Sequence, residues 1–355
     1  MSSFSLILHS EEDAIISRIG DTPELIMDCK FDTNYDTLYT SHVDGRILKI
    51  KYDFDDSCII SVSELYKKKG SCRNIELRNN KSIAGYNTGE IVLLNSNWKE
   101  EWKCINRNSA INSLKWINDN IIVNGDDDGY VCIWDTREKP KNPSISFKDY
   151  DDCINDICLS YTKQNLLVAC GDTLGIYDLR SIYTNKKKDH LVSLSDAQEE
   201  NILCISLFRN NQNVVCGTDE GNLLLFTWDN FGDCSDRITI PFVDGFHGDN
   251  SVESLAMLDE QTSIIATSDG NLKIVEFFPN KVIGFLKHVR YKQKCDVSNL
   301  ECSKVAVSRE KNIIACSHGT VIDIFDMKLV DNMISSKPRD KKKKKKDIDG
   351  FFADL

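Results

Sequence analysis

The sequence contains none of the short signatures that mark the common enzyme classes. It has no G-x-S-x-G, H-E-x-x-H, G-x-x-x-x-G-K-[ST] or G-x-G-x-x-G string, so no nucleophile elbow, zinc-protease helix, P-loop or dinucleotide fingerprint can be read from it. Six histidines, at 9, 42, 190, 247, 288 and 318, stand at no regular offset from a nucleophile. His42 and His318 flank turns, where a structural side-chain bond is the expected use. No stretch reaches the ~18 apolar residues of a membrane span. The start, MSSFSLILHSEEDAI, turns acidic after a three-residue apolar run, so no secretory leader is expected. The fourteen cysteines include no C-x-x-C pair and no Cys/His quartet with zinc spacing. They are expected as thiols in a reducing compartment, with Cys132, Cys170, Cys216 and Cys316 packing as small hydrophobes in apolar runs. These absences point away from catalysis, cofactors, metals, small-molecule substrates and membranes.

The charge is uneven. Residues 337–347, KPRDKKKKKKD, hold eight Lys/Arg and two Asp, whereas the whole chain sums to −11. The rest is therefore strongly acidic and repels nucleic-acid phosphate at long range, while one short basic tract attracts it. A folded nucleic-acid-binding face does not fit that balance; a basic appendage does.

What the chain does have is a repeat. YTSHVDGRILKIKYD (39–53), IAGYNTGEIVLLNSN (83–97), VNGDDDGYVCIWDTR (123–137), VACGDTLGIYDLR (168–180), VCGTDEGNLLLFTWD (215–229), IATSDGNLKIVEFF (265–278) and IACSHGTVIDIFDM (314–327) share one plan. Apolar residues run into small ones, a Gly/Asp/Asn turn follows, and an alternating run ends on an aromatic or aliphatic side chain. With Gly45, Gly89, Gly129, Thr173, Gly221, Gly270 and Gly319 as turn centres, the spacing is 40 to 49 residues, a period typical of propeller blades. Ile121–Val123 and Tyr130–Trp134 read as two strands of a hairpin. Further strands are expected at Ile26–Phe31, Ile111–Trp116, Ile154–Leu159, Ile202–Phe208 and Val252–Leu258, and one more beyond each hairpin gives four per repeat. Asp126, Asp127 and Asp128 fall on a bend where other copies also place Gly, Asp or Asn, so they are read as turn residues rather than a carboxylate site.

Seven four-stranded sheets around an axis bury their faces on each other and leave short edges. The expectation is an all-β, seven-bladed β-propeller over residues 23–330, with an N-terminal segment (1–22) and a flexible Lys-rich tail (331–355). The ring must be closed by an outer strand, for which Phe4–His9, Ala14–Arg18 and Lys328–Met333 are the candidates.

CIWDTR carries the Trp-Asp pair of the WD-repeat (WD40) family, and IYDLR and IFDM are looser versions; the resemblance covers roughly residues 25 to 327. The Gly-His pair that usually starts a blade is missing, which implies that the family's buried His/Asp/Trp hydrogen-bond network is incomplete. FTWDNFGDCSDRI (226–238), FPNKVIG (278–284) and the terminal DGFFADL (349–355) resemble the WD repeat-containing protein 55 family, whose yeast member is a JIP-type WD protein. That resemblance implies a nuclear or nucleolar protein of ribosomal RNA processing and large-subunit biogenesis, a monomeric propeller within a larger complex of pre-ribosomal assembly factors.

Several residues are singled out for binding. Trp228, Phe231, Gly232, Asp233, Asp236 and Arg237 lie on a loop that reaches a rim and are read either as an interaction hot spot or as a self-contained turn in which Asp233 or Asp236 pairs with Arg237. Lys337, Arg339, Lys341, Lys342, Lys343, Lys344, Lys345 and Lys346 form a tract for a nuclear import receptor, for RNA phosphates, or for solvation alone. Phe351, Phe352 and Leu355 are read either as an apolar segment that docks into a groove of a partner or of the propeller itself, or as an unstructured end. Trp134, Asp135 and Arg137 fit a WDxR string, and Asp178 and Arg180 repeat its spacing. Some propellers with this string resemble substrate receptors that dock on the damaged-DNA-binding adaptor of cullin-RING ubiquitin ligases. The plainer reading is a charged pair closing a strand end.

Overall fold

A computed structural model of the chain describes residues 15–19, 24–32, 37–53, 58–184, 190–241, 250–287, 301–308, 313–328 and 330. The tail from 331 onward, with all its basic and apolar candidates, lies outside the described residues.

The strands form seven antiparallel sheets of four. A first strand, β1 (Ile15–Ile19), precedes the repeats. Blade 1 is β2 (Ile26–Phe31), β3 (Thr37–His42), β4 (Arg46–Asp53) and β5 (Cys58–Lys67). Blade 2 is β6 (Cys72–Arg78), β7 (Lys81–Tyr86), β8 (Glu90–Leu94) and β9 (Glu100–Ile105). Blade 3 is β10 (Ile111–Trp116), β11 (Ile121–Asp126), β12 (Val131–Asp135) and β13 (Ile145–Phe147). In blade 4, β14 (Ile154–Leu159), β15 (Asn165–Cys170) and β16 (Thr173–Asp178) are followed by a short helix, α1 (Leu179–Thr184), and then β17 (Leu191–Leu194). Blade 5 is β18 (Ile202–Phe208), β19 (Asn213–Thr218), β20 (Asn222–Thr227) and β21 (Asp236–Thr239). Blade 6 is β22 (Val252–Met257), β23 (Thr262–Thr267), β24 (Asn271–Glu276) and β25 (Lys281–Lys287). Blade 7 is β26 (Cys302–Ser308), β27 (Ile313–His318), β28 (Val321–Asp326) and, in fourth place, β1.

Most middle strands carry a short β-branched or aliphatic run, such as Ile122 and Val123 of β11, because both of their sheet faces meet a neighbouring blade. The apolar core is accordingly divided among seven clusters at the blade junctions. One joins Val123, Val131 and Ile133 of blade 3 to Ile154, Ile157 and Val168 of blade 4. The closing junction joins Ile26, Leu38 and Ile50 of blade 1 to Ala315, Ile322 and Ile324 of blade 7.

Among the three closing segments considered, Ala14–Arg18 is the one that overlaps the strand in place. Ile15 pairs with Phe325, Ser17 with Ile324, Arg18 with Asp323 and Ile19 with Ile322. One turn centre is displaced. Thr173 is the first residue of β16, and the left-handed backbone that the bend needs is taken by Gly171, at φ 50°. The other six glycines named as centres all have positive φ.

Every innermost strand is bulged immediately after its first residue, at Ile26/Asp28, Cys72/Asn74, Ile111/Ser113, Ile154/Asp156, Ile202/Cys204, Val252/Ser254 and Cys302/Lys304. The bulge turns the next side chain sideways, toward the following blade. Asp28 Oδ2 accepts from Ile75 N at 3.1 Å, Ser113 Oγ from Ile157 N at 3.0 Å, Asp156 Oδ2 from Ile205 N at 3.0 Å and Ser254 Oγ from Val305 N at 3.3 Å. These bonds stitch the inner ends of the blades together around the axis.

Candidate interaction surfaces

The axial channel is the first place to look for convergent chemistry. It encloses about 130 Å³ and is lined by Asp28, Glu76 and Asp156 with Lys30, Lys115 and Lys304. Glu76 accepts from Lys115 Nζ at 2.6 Å and has Lys30 at 3.6 Å. Burial works upward on its pKa, but the two lysines outweigh it and hold the carboxyl below its ordinary range. Asp156 is occupied by Ser113 Oγ and the amides of Ile157 and Ile205. Each acid in the channel thus has its oxygens on lysines or blade-linking donors.

The three consecutive aspartates are a turn. Asp126 is fully buried and accepts from Tyr130 N at 2.9 Å, Asp128 N at 3.1 Å and Asn106 Nδ2 at 2.7 Å. Burial raises its pKa. Asp127 faces outward to Asn112 and Arg73. No histidine joins these bonds: the side-chain donor to Asp126 is Asn106, and Trp134 Nε1 donates to Asn124 at 2.8 Å. His42, by contrast, makes the structural bonds expected of it, to Thr40 Oγ1 at 2.9 Å and Glu24 O at 3.1 Å, and burial lowers its pKa.

The WDxR positions are close to one rim. Trp134 is buried against Trp102, with ring centroids 6.0 Å apart. Arg137 reaches back to its own Asp135, with Nε 2.9 Å from Oδ1 and Nη2 2.5 Å from Oδ2. Arg180 does the same to Asp178, at 3.0 and 2.9 Å. Both guanidinium side chains are 66% exposed, and each holds its aspartate's pKa below the ordinary range through these hydrogen bonds. The two forks follow the third strands of adjacent blades, so they emerge on the same face of the wheel.

That face also carries the loop after β20. Phe231 is buried at 5% exposure between blades 4 and 5, and Trp228 lies edge-on to it at 5.3 Å. Asp233 bonds the amide of Cys234. The backbone N–H of Arg237 donates to Asp236 Oδ1 at 2.8 Å, but its guanidinium pairs with neither aspartate of its loop. Its partner is Glu200, a residue the sequence reading passed over, which is 3% exposed and also accepts from Thr218 Oγ1 at 2.6 Å and Asn222 Nδ2 at 2.9 Å. Asp236 instead accepts from Asn280 of blade 6.

The two internal stretches that carry the family resemblance therefore meet. Besides the Asp236–Asn280 bond, Trp228 and Asp229 of the first and Phe278 of the second line one open depression of about 710 Å³, with Arg209, Asn211 and Thr162. Phe278 is 49% exposed and Arg209 lies over its ring at 4.4 Å. Tyr161 is a second exposed ring on the adjoining turn of blade 4. An arginine stacked on an aromatic beside asparagine amides suits recognition of a peptide segment. Nothing in the spacing of 226–238 and 278–284 signals this meeting; it follows from the third-to-fourth-strand turns of consecutive blades standing side by side.

Comparison with known proteins agrees with this architecture. The family model described as "WD domain, G-beta repeat" matches residues 101–135, a stretch from the outer strand of blade 2 through the first three strands of blade 3. WD repeat-containing protein 55 of Arabidopsis thaliana is 28% identical over 291 residues, covering 80% of this chain and 75% of that protein. The Homo sapiens protein of the same name is 27% identical over 282 residues, covering 76% and 69%. Among solved structures, the RRP9 WD40 repeats superpose with a TM-score of 0.71 at 11% identity, over 89% of this chain and 98% of that one. Propellers of this kind generally bind proteins without catalysing a reaction. The chain is a seven-bladed β-propeller that matches the WD-repeat family model over residues 101–135 and is similar in sequence to the proteins named WD repeat-containing protein 55.

Proposed function

We propose that the chain is a non-catalytic assembly scaffold of the nucleolus that acts in ribosomal RNA processing and large-subunit biogenesis by holding pre-ribosomal proteins on its rims. The observation that carries this is the junction of blades 5 and 6, where the segments most like the WD repeat-containing protein 55 family frame one open, aromatic depression. The tract Lys337, Arg339 and Lys341–Lys346 supplies nuclear import and contact with RNA phosphate. Affinity purification of the full chain, with its proteins and RNA identified, tests the reading: large-subunit precursors and their assembly factors are expected. Arg209→Ala with Phe278→Ala should deplete them while the protein stays folded. Recovery of unrelated proteins only would remove the proposal. Replacing Lys341–Lys346 by Ser should shift the protein to the cytoplasm, and continued nuclear accumulation would show that import uses another signal.

A second reading, as substrate receptor of a cullin-RING ligase, is favoured by one feature: two exposed arginine forks on the same face of adjacent blades. Each fork is closed on its own aspartate, which supports the strand-end role. Arg137→Ala with Arg180→Ala should leave the partner set unchanged; loss of a cullin and its adaptor from the purified complex would establish the ligase reading instead.

A further inference from the structure

One face of blade 7 has a composition found in no other blade. Cys302 is the cross-strand partner of His318, and Cys316 is the partner of Asp323. Because Cys316 and His318 are two residues apart on β27, the four side chains share one sheet face, with Cys302 beside His318 on β26 and Asp323 beside Cys316 on β28. All four are buried, at 0 to 1% exposure. Blade 4 fills the equivalent positions with Ile154, Cys170, Val168 and Gly175. Blade 5 has Ile202, Thr218, Cys216 and Leu224. Only blade 7 puts a metal-binding side chain at every one.

The structure joins Cys302 to Cys316 in a disulfide, a departure from the expectation that every cysteine is a thiol. Their Cα atoms are 6.8 Å apart, the upper edge of the span a disulfide bridges. The sulfurs therefore have room to separate without backbone movement once two electrons from a thiol or phosphine reductant convert the bridge to two thiols. Around the same point, His318 Nε2 lies 3.9 Å from Cys302 Sγ and 3.6 Å from Asp323 Oδ2. The two sulfurs and that ring nitrogen fall within 4.8 Å of one another. Neighbouring donors of a tetrahedral zinc site stand about 3.3–3.8 Å apart, given metal–ligand bonds of about 2.0–2.3 Å.

We propose that the reduced chain binds one zinc-like divalent ion through Cys302, Cys316 and His318, the three clustered donors, with the Asp323 carboxylate turning in from beside His318 as the fourth. Two thiolates and an imidazole select a borderline-soft ion over calcium or magnesium. Binding releases the two thiol protons, and the disulfide and the ion are mutually exclusive occupants. Four protein donors leave no open coordination position, so the ion is structural: it ties three strands of the blade that closes the ring. The surroundings, Ile264, Ala266, Leu272 and Val305, are apolar and keep competing water out.

The test uses the full chain, reduced with a phosphine, freed of metal, and titrated with Co2+ as a spectroscopic probe. One equivalent should produce thiolate-to-cobalt charge-transfer absorption with tetrahedral d–d bands, and Zn2+ should displace it. Oxidation to the Cys302–Cys316 disulfide should abolish the signal in the same protein, a comparison that needs no variant. Cys302→Ser with Cys316→Ser should also remove it, whereas Cys158→Ser, between blades 4 and 5, should leave it intact. Asp323→Asn should weaken Co2+ binding while leaving the thiolate-to-cobalt absorption in place. Failure of the reduced chain to bind stoichiometric Co2+, or an undiminished band in the double serine variant, would overturn the site.

Discussion

At the scale of single residues, the informative group is one the sequence did not point to. Arg237 was legible as a charged side chain on a loop, and Asp233 or Asp236 was the obvious partner by proximity. The structure gives it Glu200, from the connection between blades 4 and 5, because that carboxylate is already buried among Thr218 and Asn222 and needs a cation. A contact made across 37 residues of chain leaves no local pattern to read. Its energetics are asymmetric. The Arg237 side chain is 44% exposed and can return to water, whereas Glu200 is 3% exposed and cannot. Arg237→Ala therefore leaves a buried carboxylate without its cation, a loss above the ~1 kcal/mol of an exposed pair. Glu200→Ala frees the guanidinium to water and leaves Asn222 Nδ2 without its acceptor, at about 1–3 kcal/mol, while Thr218 Oγ1 can turn to Asn222 O at 3.2 Å. Urea unfolding should show a loss for Arg237→Ala that is recovered in part when Glu200→Gln is added. No recovery would mean that the stranded charge does not carry the loss.

At the scale of elements, hairpins and strands were largely legible. The innermost strands Ile26–Phe31, Ile111–Trp116, Ile154–Leu159 and Ile202–Phe208 appear residue for residue where apolar alternation placed them, and Val252–Leu258 ends one residue early. Thr173 is the exception: a tighter bend places Gly171, two residues earlier, at the left-handed position. What alternation could not show is how closely blades approach. A methyl group on Gly125 of β11 would stand 2.3 Å from the Ile154 side chain of the next blade, and one on Gly217 of β19 would stand 2.5 Å from Val252. These glycines follow from contact with the next innermost strand, not from turn geometry. Gly125→Ala should destabilise by about 1–3 kcal/mol through overpacking, and Ile154→Ala, which removes the nearest atom, Cγ2, should cost less in that chain than in the parent. Additivity of the two changes in thermal unfolding would show that the approach is looser than the distance states.

At the scale of the whole wheel, each apolar cluster joins two neighbouring blades, so the ring depends on its closing junction. Composition and period fixed the number of blades but left three segments able to supply the last strand, since any short β-branched run could pair there. The choice lies in register: Ile15–Ile19 lies antiparallel on β28, while the same blade presses Ala315, Ile322 and Ile324 onto blade 1. The first strand of the chain thus completes the sheet built from its last repeat, and the two ends of the fold are held by one ladder. Deleting residues 1–22 removes that ladder and leaves β28 as an unpaired edge. Each lost backbone bond is worth about 0.5–1.5 kcal/mol net, and an open edge invites pairing between molecules. The truncated chain should unfold at lower temperature, scatter light at concentrations where the full chain does not, and regain stability when a peptide of residues 10–22 is added in trans. An unchanged midpoint with no scattering would mean that the junction of blades 7 and 1 holds the ring without its fourth strand.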